Sequence, residues 1–471
     1  MATYLNSINN NVQQFLQSDT GVKLQGLVAS NAELMKQTAL SLDSKVREKA
    51  QEILREKIRE EFGAEIFDMI QALGTTTDTL HEELGLAKKQ FPFSASVPLV
   101  QIYHNTLPHV KTEGPLTNVA IVNEGAYWAD FAAGAYGAVG IDSYDKAAVS
   151  VGIGEKNGVD VILASLPQKG VLLPGHFIAI DRNKRAVVLG VRGTTTLADA
   201  ITDAVGEATE VPEMPGLKAH KAMMMSARAV LERTRAGLNE ALQANPGYML
   251  IVTGHSLGAG TAILCSLLLK AKPLAANPRL RCFAYAPPPV VHPLHAPAVK
   301  AVEIHAFVNR TDIVPRASLA NVFHFGQEIM AVDQLQIPFF VRLQLIRRDA
   351  KAENPEEEQA KAEIMKAVKA VRDRRQAEGH VKFVPLLIPG EVYWIEWLDQ
   401  PGSVQDSENS NAEGKPRIHR AEAENFQTIL LRGGSNALKD HLIGGYQAGL
   451  NGYLLHLQAN NGCNLSLCNC Q

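Results

Sequence analysis

The chain lacks several features that would narrow its function. It has no apolar run both long and uncharged enough to cross a bilayer as a helix. Its start, Met1-Ala2-Thr3-Tyr4-Leu5-Asn6, has neither the basic opening nor the apolar stretch of a secretory signal. Cysteine is sparse and odd in number: five in 471 residues, with Cys463, Cys468 and Cys470 crowded near the end. This pattern argues against a disulfide framework and for reduced thiols in a cytoplasmic protein. Charge of one sign is lacking too, since 46 Lys and Arg face 49 Asp and Glu for a net charge of −3. A nucleic-acid partner calls for a basic surplus, so none is expected.

What the sequence does have is length for a large core and one informative stretch, Gly254-His255-Ser256-Leu257-Gly258. The apolar run Tyr248 to Thr253 precedes it, and Ala259 to Ala271, apolar nearly all round, follows. The pattern reads as a buried strand, a sharp turn and a buried helix. That is the setting in which a G-x-S-x-G serine becomes a nucleophile, raised on a tight turn at a helix N-terminus. Gly254 and Gly258 are required there because side chains would meet the adjoining strand and helix. The plainer reading is a glycine-rich turn whose serine caps the helix.

In chain order, residues 1–115 read as helical. An amphipathic helix from about Asp43 to Phe67 is the clearest element. The small-residue run Ala126 to Gly137 reads as a further helix. Phe177 to Ile180 and Ala186 to Val191 read as a hairpin about Asp181-Arg182-Asn183-Lys184. A long helix spans Lys218 to Leu242, and further strands lie at Arg281 to Tyr285 and Val302 to Val308. Asn354 to Gly379 is a charged, well-capped helix with a narrow stripe, Ala360, Ile364, Ala367 and Val371. It reads as a half-exposed insertion. Val392 to Leu398 is a strand, Gln400 to Pro416 a polar loop, and Phe426 to Leu431 the last strand candidate. Alternating strands and helices imply a mostly parallel sheet with helices on both faces.

An activated serine needs an acid, a base and an oxyanion hole. Asp312 follows the strand ending at Val308, the position for the acid. The base must come later, among His324, His380, His419, His441 and His456. Of these, His441 follows the last strand candidate by a short loop. The backbone N–H groups of Leu257, behind the serine, and Thr194, after the strand ending at Val191, would form the oxyanion hole.

These residues resemble the class-three lipases, and within them the sn-1-specific diacylglycerol lipases. The resemblance covers roughly 123–335 and 383–450. It rests on Ala132 to Gly137, Val191-Arg192-Gly193-Thr194, Leu197-Ala198-Asp199 with Thr202-Asp203, and Ala219-His220-Lys221. Gly254 to Gly260, Arg281 to Pro288, Asp312 to Arg316, and Asp440-His441-Leu442 with Tyr446 add to it. It implies an α/β-hydrolase fold, with Ser256 as nucleophile, Asp312 as acid, His441 as base, and Leu257 and Thr194 as the oxyanion hole. The implied organisation is an N-terminal helical region at 1–115, a lipase domain at 116–460 and a cysteine-containing tail at 461–471. The domain would carry a charged helical insertion near 345–380 and a polar loop near 400–420.

The implied activity is serine-based hydrolysis of an acyl ester of diacylglycerol or a related acylglycerol, with no metal or organic cofactor. A peripheral contact with a membrane or lipid-droplet surface goes with such a substrate. Leu197-Ala198, Met223 to Met225 and Ile337 to Phe340 are candidates for an acyl-chain wall or lid. Phospholipase A1 or broad lipid-esterase activity is the alternative within the same chemistry. A lipase fold that only binds or scaffolds is the alternative of another class.

Overall fold

The computed structural model describes residues 93–107, 110–137, 145–154, 156–165, 173–194, 200, 204–347, 351–378, 383–398, 414–431 and 439–460. The helix expected near Asp43 to Phe67, His380, Leu197-Ala198, most of the polar loop and the tail cysteines lie outside them. The described residues open with α1 (Phe93–His104), β1 (Thr112–Pro115), α2 (Val119–Gly134), α3 (Lys146–Ile153), β2 (Val159–Ser165), β3 (His176–Asp181) and β4 (Ala186–Val191). It continues through β5 (Ala208–Glu210), β6 (Lys218–His220), α4 (Lys221–Ala244), β7 (Met249–His255), α5 (Leu257–Ala271), β8 (Leu280–Tyr285) and β9 (Val291–His292). Next come α6 (Pro297–Lys300), β10 (Glu303–Asn309), α7 (Leu319–Asp333), α8 (Phe339–Arg347) and α9 (Pro355–Glu378). β11 (Glu391–Leu398), β12 (Lys415–Ala421) and α10 (Ile443–Asn460) follow.

The main sheet runs β1-β12-β11-β10-β8-β7-β4-β3-β2, and β5, β6 and β9 form a small second sheet. The centre, from β4 through β7, β8 and β10 to β11, is parallel, and antiparallel strands flank it on both sides. β4 is apolar and buried throughout because both its faces are covered. Val187, Leu189, Leu250 and Val252 join the side chains of α4 and α5 in one core. Their alternates Ala186, Val188 and Ile251 join Trp128 and Phe131 of α2 and Tyr446 and Leu450 of α10 in the other. This period-two division places helices on both faces of a parallel centre, which is the α/β-hydrolase arrangement.

A third core lies outside the sheet. Val97 and Val100 of α1, Val322, Phe325 and Ile329 of α7, and Ala360, Ile364 and Val368 of α9 pack together with Ile313 and Val314. A buried polar chain crosses it. His104 Nε2 lies 2.8 Å from Glu328, and Arg372 donates to the other Glu328 oxygen at 3.0 Å. The α9 bounds fall within a residue of those read from the sequence, and one side of the helix is exposed as expected. Its stripe runs through Val368, and its buried face completes the core that α1 and α7 share.

Four local readings change. Phe426 to Leu431 is not a strand: it follows a 3₁₀ turn at Ala423–Phe426 and contributes Phe426 and Ile429 to two different cores. The strand is β12 instead, antiparallel to β11 and unmarked in sequence because Lys415, Arg417 and Arg420 point away from the core. β1 lies in the stretch read as helical. Lys218 to His220 is a strand that precedes α4 rather than its first turn.

Candidate active site

The turn between β7 and α5 is built by steric necessity. A Cβ on Gly254 would stand 2.5 Å from the Gly258 carbonyl oxygen and 2.7 Å from that of Val191. One on Gly258 would run into the Val191 oxygen and the Arg192 carbonyl carbon. The serine between them carries the strain: Ser256 has φ 61° and ψ −132°, a region that L residues rarely adopt. Its side chain makes no capping hydrogen bond to the helix, so the plainer reading of a helix-capping serine does not hold. The hydroxyl is aimed elsewhere.

It is aimed at His441. Ser256 Oγ lies 2.9 Å from His441 Nε2, and His441 Nδ1 lies 3.0 Å from both oxygens of Asp312. A carboxylate can only accept, so Nδ1 carries the proton and Nε2 is free to accept from the serine. Asp312 is fully buried and takes two further donors: the Val314 N–H at 2.9 Å and the Tyr446 hydroxyl at 2.6 Å. Tyr446 in turn accepts from the Asn309 N–H at 3.1 Å. Burial and the neighbouring Asp312 charge hold the Tyr446 phenol well above its ordinary pKa, which keeps it a donor.

The turn bearing His441 is tied to the end of β10. Asn309 Nδ2 donates to the Asp440 carbonyl at 2.9 Å, and Thr311 donates its hydroxyl to the Asp440 carboxylate at 2.7 Å. Burial pushes the Asp440 carboxyl up, opposed by those donors from Thr311. Asp312 and His441 therefore share one anchorage, although 129 positions separate them.

The Gly193-Thr194 loop closes the site from the β4 side. A Cβ on Gly193 would lie 3.1 Å from Ser256 Cβ, so the Gly193-Thr194 backbone abuts the serine directly. Leu257 opens α5, where the first amides have no intrahelical acceptor. Thr194 is half-buried beside the turn.

The structure thus brings Ser256, Asp312 and His441 together, with Leu257 and the Thr194 loop alongside. Of the other histidines considered as base, His324 sits on α7 with Nδ1 3.2 Å from Gln327, and His419 pairs with Glu396 at 3.0 Å. His456 is exposed beside Tyr453. Of the described candidate lid residues, Met223, Met224 and Ile337 are buried, and Met225 and Pro338 are exposed. Asn309, Tyr446, Tyr136 and His255 carry no assigned role in the sequence reading. The only signal for Tyr446, Tyr136 and His255 is membership of the quoted motifs, and Asn309 lies outside them.

Parts of the chain are similar to known proteins. Residues 188–322 match the family model of class 3 lipases. Diacylglycerol lipase-alpha of Rattus norvegicus is 34% identical over 187 residues, which cover 37% of this chain and 17% of that protein. Diacylglycerol lipase-beta of Mus musculus is 30% identical over 178 residues, covering 37% and 26%. The matched region therefore spans well under half the length of these relatives. Among solved structures, a lipase from Rhizopus microsporus var. chinensis aligns with 71% of this chain and 90% of its own, at 21% identity and a TM-score of 0.43. Over residues 188–322 the chain is thus similar to the class 3 lipases, and diacylglycerol lipases are among the proteins it resembles.

Proposed function

We propose that this protein is a serine hydrolase that cleaves an acyl ester of diacylglycerol or a related acylglycerol. The observation that carries the reading is the unbroken Ser256–His441–Asp312 hydrogen-bond chain on a strained turn. The diacylglycerol lipases among the relatives support the substrate class.

In this mechanism His441 Nε2 takes the Ser256 proton as Oγ bonds to the ester carbonyl carbon. The Leu257 and Thr194 N–H groups hold the resulting oxyanion. The tetrahedral intermediate expels the glyceride alcohol, which leaves with the proton from His441. Water then attacks the acyl-enzyme, giving its proton to His441, and the fatty acid departs as Ser256 is re-protonated. Asp312 keeps the imidazole in the tautomer that can accept.

No helix among the described residues is long and apolar enough to cross a membrane. Leu442, directly after His441, is 62% exposed, and we propose that this rim meets the lipid surface in a peripheral contact. The test is labelling by a fluorophosphonate probe together with hydrolysis of diacylglycerol and phosphatidylcholine at equal surface density. Ser256→Ala should abolish both labelling and turnover, by roughly a million-fold for turnover. Turnover retained in that variant refutes the proposal. Faster cleavage of phosphatidylcholine replaces diacylglycerol with a phospholipase A1 substrate.

A further inference from the structure

Two side chains outside the triad, the buried His255 and the half-buried Tyr136, connect its base to its oxyanion loop. The Tyr136 hydroxyl lies 2.9 Å from His255 Nδ1, and His255 Nε2 lies 2.7 Å from the carbonyl oxygen of His441. A carbonyl only accepts, so the His255 proton sits on Nε2. Burial, with the adjacent His441 acting in the same direction, holds His255 well below its ordinary pKa, so the ring carries that one proton and no second. Nδ1 must then accept, and Tyr136 donates to it. The phenol oxygen in turn hydrogen-bonds with the backbone of Gly193.

The directions are thus fixed along the whole chain, from the Gly193 backbone through Tyr136 and His255 to the His441 carbonyl. Steric contact enforces the same arrangement. A Cβ on Gly193 would stand 2.5 Å from Tyr136 Oη and 2.7 Å from the His255 carbonyl oxygen. The imidazoles of His255 and His441 lie 4.8 Å apart, centroid to centroid. Asn309 and Thr311 hold the His441 turn from the β10 side; His255 holds it from the β7 side.

We propose that Tyr136 and His255 are positioning residues that lock the Gly193-Thr194 loop and the His441 backbone into one unit. The serine then meets its base and its oxyanion donors in a single geometry. Without His255 the His441 carbonyl loses its donor and the peptide can rotate, carrying Nε2 off the serine. Misplacement on the order of 1 Å costs about a hundredfold in rate. This inference rests on the serine-hydrolase reading above.

The test is kinetics on a soluble short-chain ester, with thermal unfolding measured beside it. His255→Phe keeps ring volume and removes both hydrogen bonds; kcat should fall by about ten- to a hundredfold with KM unchanged. His255→Gln can still present an N–H toward the His441 carbonyl and should recover to within about threefold of wild type. Tyr136→Phe should lower kcat by roughly three- to tenfold at unchanged KM. Combined with His255→Phe it should add nothing, because the two act through one chain. A purely structural role would lower Tm in step with activity and give no such rescue or non-additivity. Should His255→Phe fail to fold, Tyr136→Phe and His255→Gln still decide the matter. Wild-type kcat in Tyr136→Phe, or His255→Gln no better than His255→Phe at equal Tm, overturns the inference. Ser256→Ala separates the two levels. If it is active, the hydrolase reading fails; if it is dead while Tyr136→Phe and His255→Phe match wild type, only the positioning role fails.

Discussion

Replacing Asp312 by asparagine tests the electrostatic logic of the site with almost no change in shape. The carboxylate receives His441 Nδ1 at 3.0 Å on both oxygens, the Tyr446 hydroxyl at 2.6 Å and the Val314 N–H at 2.9 Å. Every neighbour is a donor. An amide offers one acceptor and one NH₂, so one side of the substituted side chain must face donors with hydrogens of its own. With its oxygen toward Val314, the NH₂ confronts Tyr446, whose phenol already accepts from Asn309. It also invites His441 to reverse its tautomer and accept at Nδ1. Nε2 then carries the proton and cannot take one from Ser256. The same tautomer error in a serine-protease triad costs about four orders of magnitude in kcat, or roughly 5 kcal/mol at 1.36 per decade. We expect a loss of about 10³- to 10⁴-fold in kcat with little change in KM. Thermal unfolding should show a protein still folded. The assay is ester hydrolysis under saturating substrate, with active-site titration to exclude wild-type contamination. A folded Asp312→Asn enzyme within tenfold of wild-type kcat would refute the assigned role of this carboxylate.

Two further outcomes follow from the core and from buried histidine. Ile364→Ala removes a fully buried side chain from the core shared by α1, α7 and α9, and should cost about 2–4 kcal/mol in urea unfolding. A loss below roughly 0.5 kcal/mol would mean that α9 is not docked as described. His324 is pushed down to about 4 by burial, with Arg375 adding to the shift. Its neutral form is therefore favoured in the folded state. The corresponding stability is intact above the unfolded value near 6.5 and is lost as pH falls from there toward 4. After allowance for solvent screening, the expected contribution is about 1–2 kcal/mol. His324→Gln should flatten the stability–pH curve between pH 6.5 and about 4 in denaturant titrations. An unchanged slope would show that the ring does not titrate as described.

The serine was legible because everything it needs is local. Strand, turn and helix lie within one continuous stretch, and the two glycines are demanded by contacts that any such turn makes. Asp312 was legible one step less directly, through its place after β10. His441 could not be reached by local pattern alone, because five histidines follow Asp312 and four of them had no disqualifying neighbour in sequence. The motif around Asp440-His441-Leu442 singled it out, and the turn's ties to Asn309 and Thr311 show the physical reason for that motif. The strand expected just before it was the wrong segment. Phe426 to Leu431 looks like a strand because it is apolar, yet its side chains are divided between two cores rather than two faces of a sheet. The real strand, β12, lies between β1 and β11; its exposed face is charged and it carries Pro416, so its composition resembles a loop.

What the sequence concealed most completely is the second layer of hydrogen bonds. Tyr136 reaches His255 across 119 positions, His255 reaches His441 across 186, and Tyr446 reaches Asp312 across 134. Periodicity and capping rules report on neighbours a few residues apart, and they carry no information about such pairings. These side chains are also apolar enough in body to read as ordinary core. Tyr446 packs with Tyr285 and Leu450 in the face covered by α2 and α10, and only its hydroxyl betrays a further task. A buried polar tip must find a partner, and here the available partners are the acid, the base turn and the oxyanion loop. The requirement to satisfy buried polar groups and the requirement to hold a triad in register are therefore met by the same few bonds. Removing one of these hydroxyl or imidazole tips should accordingly change rate and stability together in Tyr446, which contacts the acid itself. In Tyr136 and His255, which act on backbone around the reacting groups, it should change chiefly rate.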